Sequence, residues 1–229
     1  KSLQLQKAIE IENDKVYLKS LYDAEIMTAY YIKEILENER DINVNIDIEK
    51  ESNKYCKHHN IELEDMQKKA VLDFTKTLGG LCVLNGSAGC GKTFTLKIIL
   101  QMIEKQFKKQ GKEAEVMILA PTGKASKVAS KSTGRKCMTI HRGLGYHPKF
   151  GFKYNARNKL SVDVVVVDEA SMLDIVLARN LFAAIPKTAK VILIGDTNQL
   201  PAVGAGNVLK DIIKSNRVKV ITLNVVKRQ

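Results

Sequence analysis

Lys92 and Thr93 close an eight-residue run, Gly86-Ser87-Ala88-Gly89-Cys90-Gly91-Lys92-Thr93, that fits the spacing G-x-x-x-x-G-K-[ST]. Glycines at these places admit positive φ, so successive backbone N–H groups can converge on an anion. Lys92 adds a point charge, and a helix opening there adds the partial positive charge of its N-terminus. The Thr93 hydroxyl is a hard oxygen ligand of the kind Mg²⁺ prefers. The apolar run Leu81–Leu84 leads in as a short buried strand, and Phe94, Ile98, Met102 and Ile103 follow at helical spacing. Strand, loop and helix in that order cradle the phosphates of a nucleoside triphosphate, with Lys92 at the β- and γ-phosphates. Gly86 through Thr93, with Phe94 beside them, are the candidate contacts to ATP.

A second constellation lies downstream. Val162–Val167 is the most strand-like run in the chain and ends in Asp168-Glu169. Two carboxylates delivered by a buried parallel strand suit Mg²⁺-ATP hydrolysis: Asp168 in the Mg²⁺ shell, Glu169 orienting or deprotonating the attacking water. The run Val191–Ile194 ends in Gly195-Asp196-Thr197-Asn198-Gln199, which would place Gln199 beside the scissile phosphate as a sensor. Gln67 offers an amide donor and acceptor suited to an adenine edge, although alone it reads equally as a helix surface residue.

The elements that must hold these groups alternate. Apolar runs at 81–84, 116–120, 162–167, 191–194 and 218–223 are separated by helical patterns, including 174–184 and 207–214. That alternation specifies an α/β fold of the P-loop NTPase kind, a parallel sheet with helices on both faces. Glu64–Thr77 reads as a helix with Met66, Ala70 and Phe74 inward. Ahead of it, residues 1–60 read as a small, acidic, mostly helical module, and residues 61–229 as the nucleotide-binding domain. In the module, Asp23–Asn38 is the best helix, with Asp23 as N-cap and Ile26, Met27, Tyr30 and Leu36 inward. Ile42, Val44, Ile46 and Ile48 alternate as a short strand or linker would. Cys56, His58 and His59 lack a second cysteine at ligand spacing and read as a turn or surface pair rather than a zinc site.

The net charge of +12 is unevenly placed. Up to residue 66 there are 9 Lys and Arg against 15 Asp and Glu; from residue 67 there are 28 against 10. The basic part is therefore the nucleotide-binding part, which points to a polyanionic partner. Lys124, Lys127, Lys131 and Arg135 fall on one helical face just after Pro121-Thr122-Gly123, a basic stripe or else a solvated face. Between 137 and 160, Tyr146, His147, Phe150, Phe152 and Tyr154 interleave with Lys149, Lys153 and Arg157. That pattern suits base stacking with phosphate contact, and equally a hairpin packed on its own domain. No apolar run approaches the roughly 20 residues that span a bilayer, and none forms a signal peptide. The four cysteines form no C-x-x-C pair. The reading is a cytoplasmic protein with reduced thiols and no membrane segment.

Taken together, these runs resemble superfamily 1 DNA helicases of the RecD/TraA type, which include the exonuclease V alpha subunit. The resemblance rests on GSAGCGKT (86–93), APTGKAS (120–126), TIHRGLGY (139–146), VVVVDEASMLD (164–174), IGDTNQLPAVGAGNVL (194–209) and the terminal Lys-Arg-Gln. It implies a first RecA-like motor domain that hydrolyses ATP and moves 5′ to 3′ on single-stranded DNA, or on duplex with a single-stranded tail, as a monomeric motor. Recombination, repair or conjugation-type processing is the setting it implies. Gln67 matches the family's adenine-reading glutamine, Gln199 its γ-phosphate sensor and Arg228 its fourth-motif arginine. Thr122 and Lys124, with Thr139, His141 and Arg142, match its DNA-contacting segments, and Lys127 and Lys131 extend them. Two departures stand out. Glu64 occupies the place where the family often has a capping Ser or Thr, and no second motor domain follows Gln229. The expectation is a chain that binds nucleotide, hydrolyses it poorly alone and does not unwind DNA.

Two other readings share parts of this pattern. A ring-forming AAA+ protein remodeller has the same loop and Asp-Glu pair, but calls for a polar residue within the strand ending at Gly195. A nucleotide-gated DNA adaptor would bind ATP without turnover. A nuclease is not supported, since no further carboxylate cluster falls at metal spacing.

Overall fold

The structure, a computed structural model, describes residues 8–41 and 46–224. Six parallel strands form the central sheet in the order β12-β5-β11-β10-β6-β7. They are β5 (Leu81–Gly86), β6 (Val116–Ala120), β7 (Cys137–Thr139), β10 (Val164–Val167), β11 (Lys190–Gly195) and β12 (Lys219–Leu223). The sheet and its helix-covered faces agree with the expected P-loop architecture.

Strand alternation sorts the apolar side chains onto two faces. Leu81, Val83, Val165, Val167, Val191 and Leu193 point into one core. Their neighbours Cys82, Leu84, Val164, Val166, Ile192 and Ile194 point into the other. On the first face lie α1 (Lys19–Glu37), α7 (Ile175–Ala184) and α8 (Val208–Lys214). On the second lie α3 (Asp65–Thr75) and α4 (Lys92–Lys109), with α2 (Ile48–His58) against both. The helix α5 (Gly123–Thr133) packs beside α4, β6 and β7.

The stretch before residue 61 touches both faces. Its first described element is a hairpin, β1 (Ile9–Glu12) and β2 (Lys15–Leu18), turned by Asn13 and Asp14 at φ 48° and 60°. Asn and Asp tolerate that left-handed pair of positions, as a two-residue hairpin loop requires. Next, α1 begins at Lys19 rather than at Asp23, which sits inside the helix in an ion pair with Lys19 at 3.0 Å. Its inward residues are Ala24, Thr28 and Ile35, with Ile32 and Leu36 packed beside them, whereas Ile26 and Tyr30 are exposed. The apolar stripe is thus rotated from the expected one, because the partner surface is α7. The short strand β3 (Arg40–Asp41) pairs with β4 (Thr77–Leu78), and Lys190, 3% exposed, donates to Thr77 Oγ1 at 2.9 Å. Ile42 and Val44 lie outside the described residues, and Ile48 opens α2 rather than extending a strand. Met66 is exposed on α3, where Gln67 takes the inward place instead. Among the described residues no helix is long and apolar enough to cross a membrane.

Candidate nucleotide and nucleic-acid site

The phosphate loop runs from the end of β5 to the start of α4. Gly89 and Gly91 take φ values of 79° and 84°, in the left-handed region that glycine reaches without strain. Ser87, Ala88 and Gly89 are exposed at the rim, and Cys90 is buried beneath them. Lys92 curls back: its Nζ donates to the carbonyls of Gly86 at 2.6 Å and Ser87 at 2.8 Å. The half-buried Thr93 stands in the first turn of α4, and Phe94 packs on the second core. The helix α4 is buried more widely than one stripe, through Leu96, Ile98, Ile99, Leu100, Met102 and Ile103.

Gln67 meets this loop from α3. Its Oε1 accepts from the Glu64 N–H at 3.1 Å, and its Nε2 donates to the Cys90 carbonyl at 3.3 Å. Glu64 and Gln67 together close a capping box at the head of α3. Glu64 therefore does the capping work expected of a Ser or Thr. A Cβ added at Gly91 would collide with Gln67 Nε2, so the two residues fit each other. Glu64, Gln67, Cys90, Leu223 and Asn224 line a cavity of about 240 Å³ next to the loop.

Two strands along the same edge bring in carboxylates. Asp168 and Glu169 leave the end of β10, and Asp196 leaves the end of β11, where it is 6% exposed. Asp168 Oδ1 accepts from the Glu169 N–H at 3.0 Å. Burial holds the Asp168 carboxyl above its usual range, partly offset by that N–H and by the Lys92 charge. Glu169 is raised too, by burial first, then by Asp168 and Asp196, with Lys92 pulling the other way. Lys92 thus acts on both carboxylates. Glu169 also adopts φ 54°, a strained backbone for a non-glycine residue, as is common where chemistry dictates geometry. Asp168 and Thr93 are the hard oxygen donors here and suit Mg²⁺ completed by phosphate oxygens and water. Nearby, burial and the Asp168 charge push the Cys137 thiol up to about 11, so it stays protonated at neutral pH.

The basic segments follow the two neighbouring strands. Thr122 caps α5 by accepting from the Ala125 N–H at 3.2 Å, and Lys124, Lys127 and Lys131 are all exposed along that helix. Arg135 does not continue the stripe: α5 ends at Gly134, φ 71°, and Arg135 turns back into a bidentate pair with Glu104 of α4. Thr139 caps the short helix α6 (Ile140–Gly143) by accepting from the Arg142 N–H at 3.2 Å, which leaves His141 and Arg142 exposed. Ala120 and Thr139 are paired across β6 and β7, so the two segments emerge side by side. The aromatics after them divide. Tyr146, His147 and Phe150 are exposed, whereas Phe152 and Tyr154 pack on the core as part of a hairpin, β8 (Tyr146–His147) and β9 (Gly151–Phe152). His141 joins Tyr146 and Phe152 in a cluster with ring centroids 5.4 and 5.6 Å away.

Gln199 is exposed on the turn after β11, and Arg228 lies outside the described residues. Reading the sequence missed Asp196 and Asn85 in this edge, and also Ser171, whose buried Oγ lacks a hydrogen-bond partner and lines a small cavity with Asp196 and Gln199. Asp196 directly follows β11, so strand-end position was the available signal for it, whereas Ser171 sits in a helical turn beyond β10 and carried none. Away from this edge, His58 and His59 are exposed, and His59 lies 4.4 Å from the Tyr55 ring.

Residues 62–229 match the AAA domain family. Among characterised proteins, the chain is 43% identical over 126 residues to the ATP-dependent RecD2 DNA helicase of Deinococcus radiodurans, covering 55% of this chain and 17% of that protein. It is 32% identical over 220 residues to the RecBCD enzyme subunit RecD of Buchnera aphidicola subsp. Schizaphis graminum, covering 87% of this chain and 35% of that one. The chain therefore spans about a third or less of the length of these relatives. In fold it is similar to the Pif1 helicase of Candida albicans, with TM-score 0.51 and 24% identity over 74% of this chain and 41% of that one. The chain belongs to the AAA domain family and is of the RecD type within superfamily 1.

Proposed function

We propose that this chain is the ATP-binding motor part of an ATP-dependent DNA helicase, in which hydrolysis drives 5′-to-3′ movement along single-stranded DNA. One observation carries the reading. A single sheet edge gathers the phosphate loop after β5, the carboxylates after β10 and the basic segments after β6 and β7, with Lys92 acting on both Asp168 and Glu169. Nucleotide and polyanion contacts thus lie on elements that share strands, which is the requirement for coupling them.

In this reading Lys92 leaves its two loop carbonyls for the β- and γ-phosphates, and the loop N–H groups hold the rest of the chain of phosphates. Asp168 and Thr93 would hold Mg²⁺, which supplies charge neutralisation on the phosphate oxygens. Glu169 orients the attacking water and takes its proton, Gln199 senses the γ-phosphate, and Arg228 reaches the γ-phosphate. Gln67 reads the base after exchanging its bond to the Cys90 carbonyl. Thr122, Lys124, Lys127, Lys131, Thr139, His141 and Arg142 hold the DNA, with Tyr146 and Phe150 available for stacking. The proposal keeps residues 1–60 as an accessory module and 61–229 as the first of two motor domains, a division supported by the family match beginning at residue 62. It also includes a monomeric motor, a cytoplasmic site of action, and a role in recombination, repair or conjugation-type processing.

The interior of β11, Val191–Ile194, is apolar, and the polar residues come after it. This favours the helicase reading over a protein remodeller. The test is ATP turnover by the protein carrying both motor domains, with and without single-stranded DNA, beside Glu169→Gln. Stimulation that disappears in the variant supports the proposal, and turnover indifferent to DNA overturns it. Unwinding of 5′-tailed but not 3′-tailed duplex tests the direction.

A further inference from the structure

One polar side chain at the active edge has no part in the roles above. Asn85 is the last residue before the phosphate loop, and its neighbours across the sheet are Gly195 of β11 and Thr222 of β12. Its amide serves both sides. Oδ1 accepts from the Thr197 N–H at 3.2 Å, and Nδ2 donates to Thr222 Oγ1 at 3.3 Å. Thr197 begins the turn that carries Gln199. That turn is also braced from within: Asp196 Oδ1 accepts from the Asn198 N–H at 2.9 Å, and the Asp196 carbonyl accepts from the Gln199 N–H at 3.1 Å. Asn85 is thus the side chain that ties this turn to the strand of the phosphate loop.

The amide suits the task. A carboxamide presents a donor and an acceptor on one rigid plane, so it can bridge a backbone N–H on one neighbour and a hydroxyl on the other. A hydroxyl side chain is too short to span both strands, and an apolar one would leave the Thr197 N–H without its acceptor.

We propose that Asn85 is a positioning residue that sets the Gln199 turn against the phosphate loop and so lets the site tell a triphosphate from a diphosphate. The inference rests on the nucleotide reading of this edge. On that reading a diphosphate meets the loop, Lys92 and the base and metal contacts, none of which belongs to the Gln199 turn. The third phosphate must also meet the Gln199 turn, and that contact depends on placement within a fraction of an ångström.

The experiment is calorimetric titration of the full chain with Mg²⁺-AMP-PNP and with Mg²⁺-ADP, for the parent, Asn85→Leu, Thr222→Val and Thr222→Ser. Asn85→Leu should weaken AMP-PNP about tenfold, the scale of the lost polar contacts, and leave ADP within about twofold. Thr222→Val should show a smaller loss confined to AMP-PNP, and Thr222→Ser, which keeps the hydroxyl, should match the parent. Equal weakening of both nucleotides by Asn85→Leu, or no change in either, overturns the inference. If Asn85→Leu does not fold, identical nucleotide preference in Thr222→Val and Thr222→Ser overturns it. A parent chain that binds neither nucleotide refutes the nucleotide reading itself, a different outcome from any of these.

Discussion

Glu169 carries a left-handed backbone, a carboxyl raised by burial, and two carboxylate neighbours in Asp168 and Asp196. A carboxyl whose folded value lies above its unfolded value binds more protons in the folded state, so it lowers stability as pH rises from about 4 upward. Glu169→Gln should therefore raise the melting temperature at pH 7, with the gain shrinking toward pH 4. The same change should cut ATP turnover by about 100-fold or more, the scale of a lost general base. A fall in melting temperature at pH 7 would show that the carboxylate is favourably placed after all. Gly91 gives the opposite kind of test. An alanine there meets both a left-handed backbone and Gln67 Nε2, so Gly91→Ala should destabilise by about 1–3 kcal/mol and abolish nucleotide binding. Thermal melts with titration on the same sample would check both.

At the scale of elements, the basic helix separates two jobs that its sequence ran together. Lys124, Lys127 and Lys131 are exposed, so replacing all three by alanine should leave the melting temperature within a degree or so. It should also reduce the slope of log affinity for single-stranded DNA against log salt by about 2, at roughly 0.7 per phosphate contact. Arg135→Ala should do the reverse, lowering stability by up to about 1 kcal/mol through its pair with Glu104 and leaving the salt slope unchanged. The signal that Arg135 belongs elsewhere was present in Gly134, a natural helix stop. Runs such as Val116–Ala120 and Val191–Ile194 were legible because a parallel strand buried on both faces is apolar throughout. The extent of α1 was not, since its inward stripe is chosen by α7, some 150 residues later in the chain. Asn85 was illegible for the same reason: its partners stand 112 and 137 positions away.

For the molecule as a whole, the stretch before residue 61 is packed into both cores. Ala24 and Ile35 share one core with Phe182, which is fully buried, and Cys56 shares the other with Phe74. Calorimetry should accordingly show one cooperative transition with equal calorimetric and van't Hoff enthalpies, rather than separate melting of the N-terminal part. Phe182→Ala should shift that whole transition, at a cost of about 3–5 kcal/mol, and two resolved transitions would contradict the shared cores.

The packing of α1 along α7 also constrains how such a chain can be inherited. A crossover between related genes near residue 60 would bring together α1 and α7 surfaces that had never been selected to fit. Hybrids joined there would be expected to survive mainly when the donors match at Ala24, Thr28, Ile35 and the facing residues of α7, so the two ends of this arrangement should pass between lineages as a linked pair.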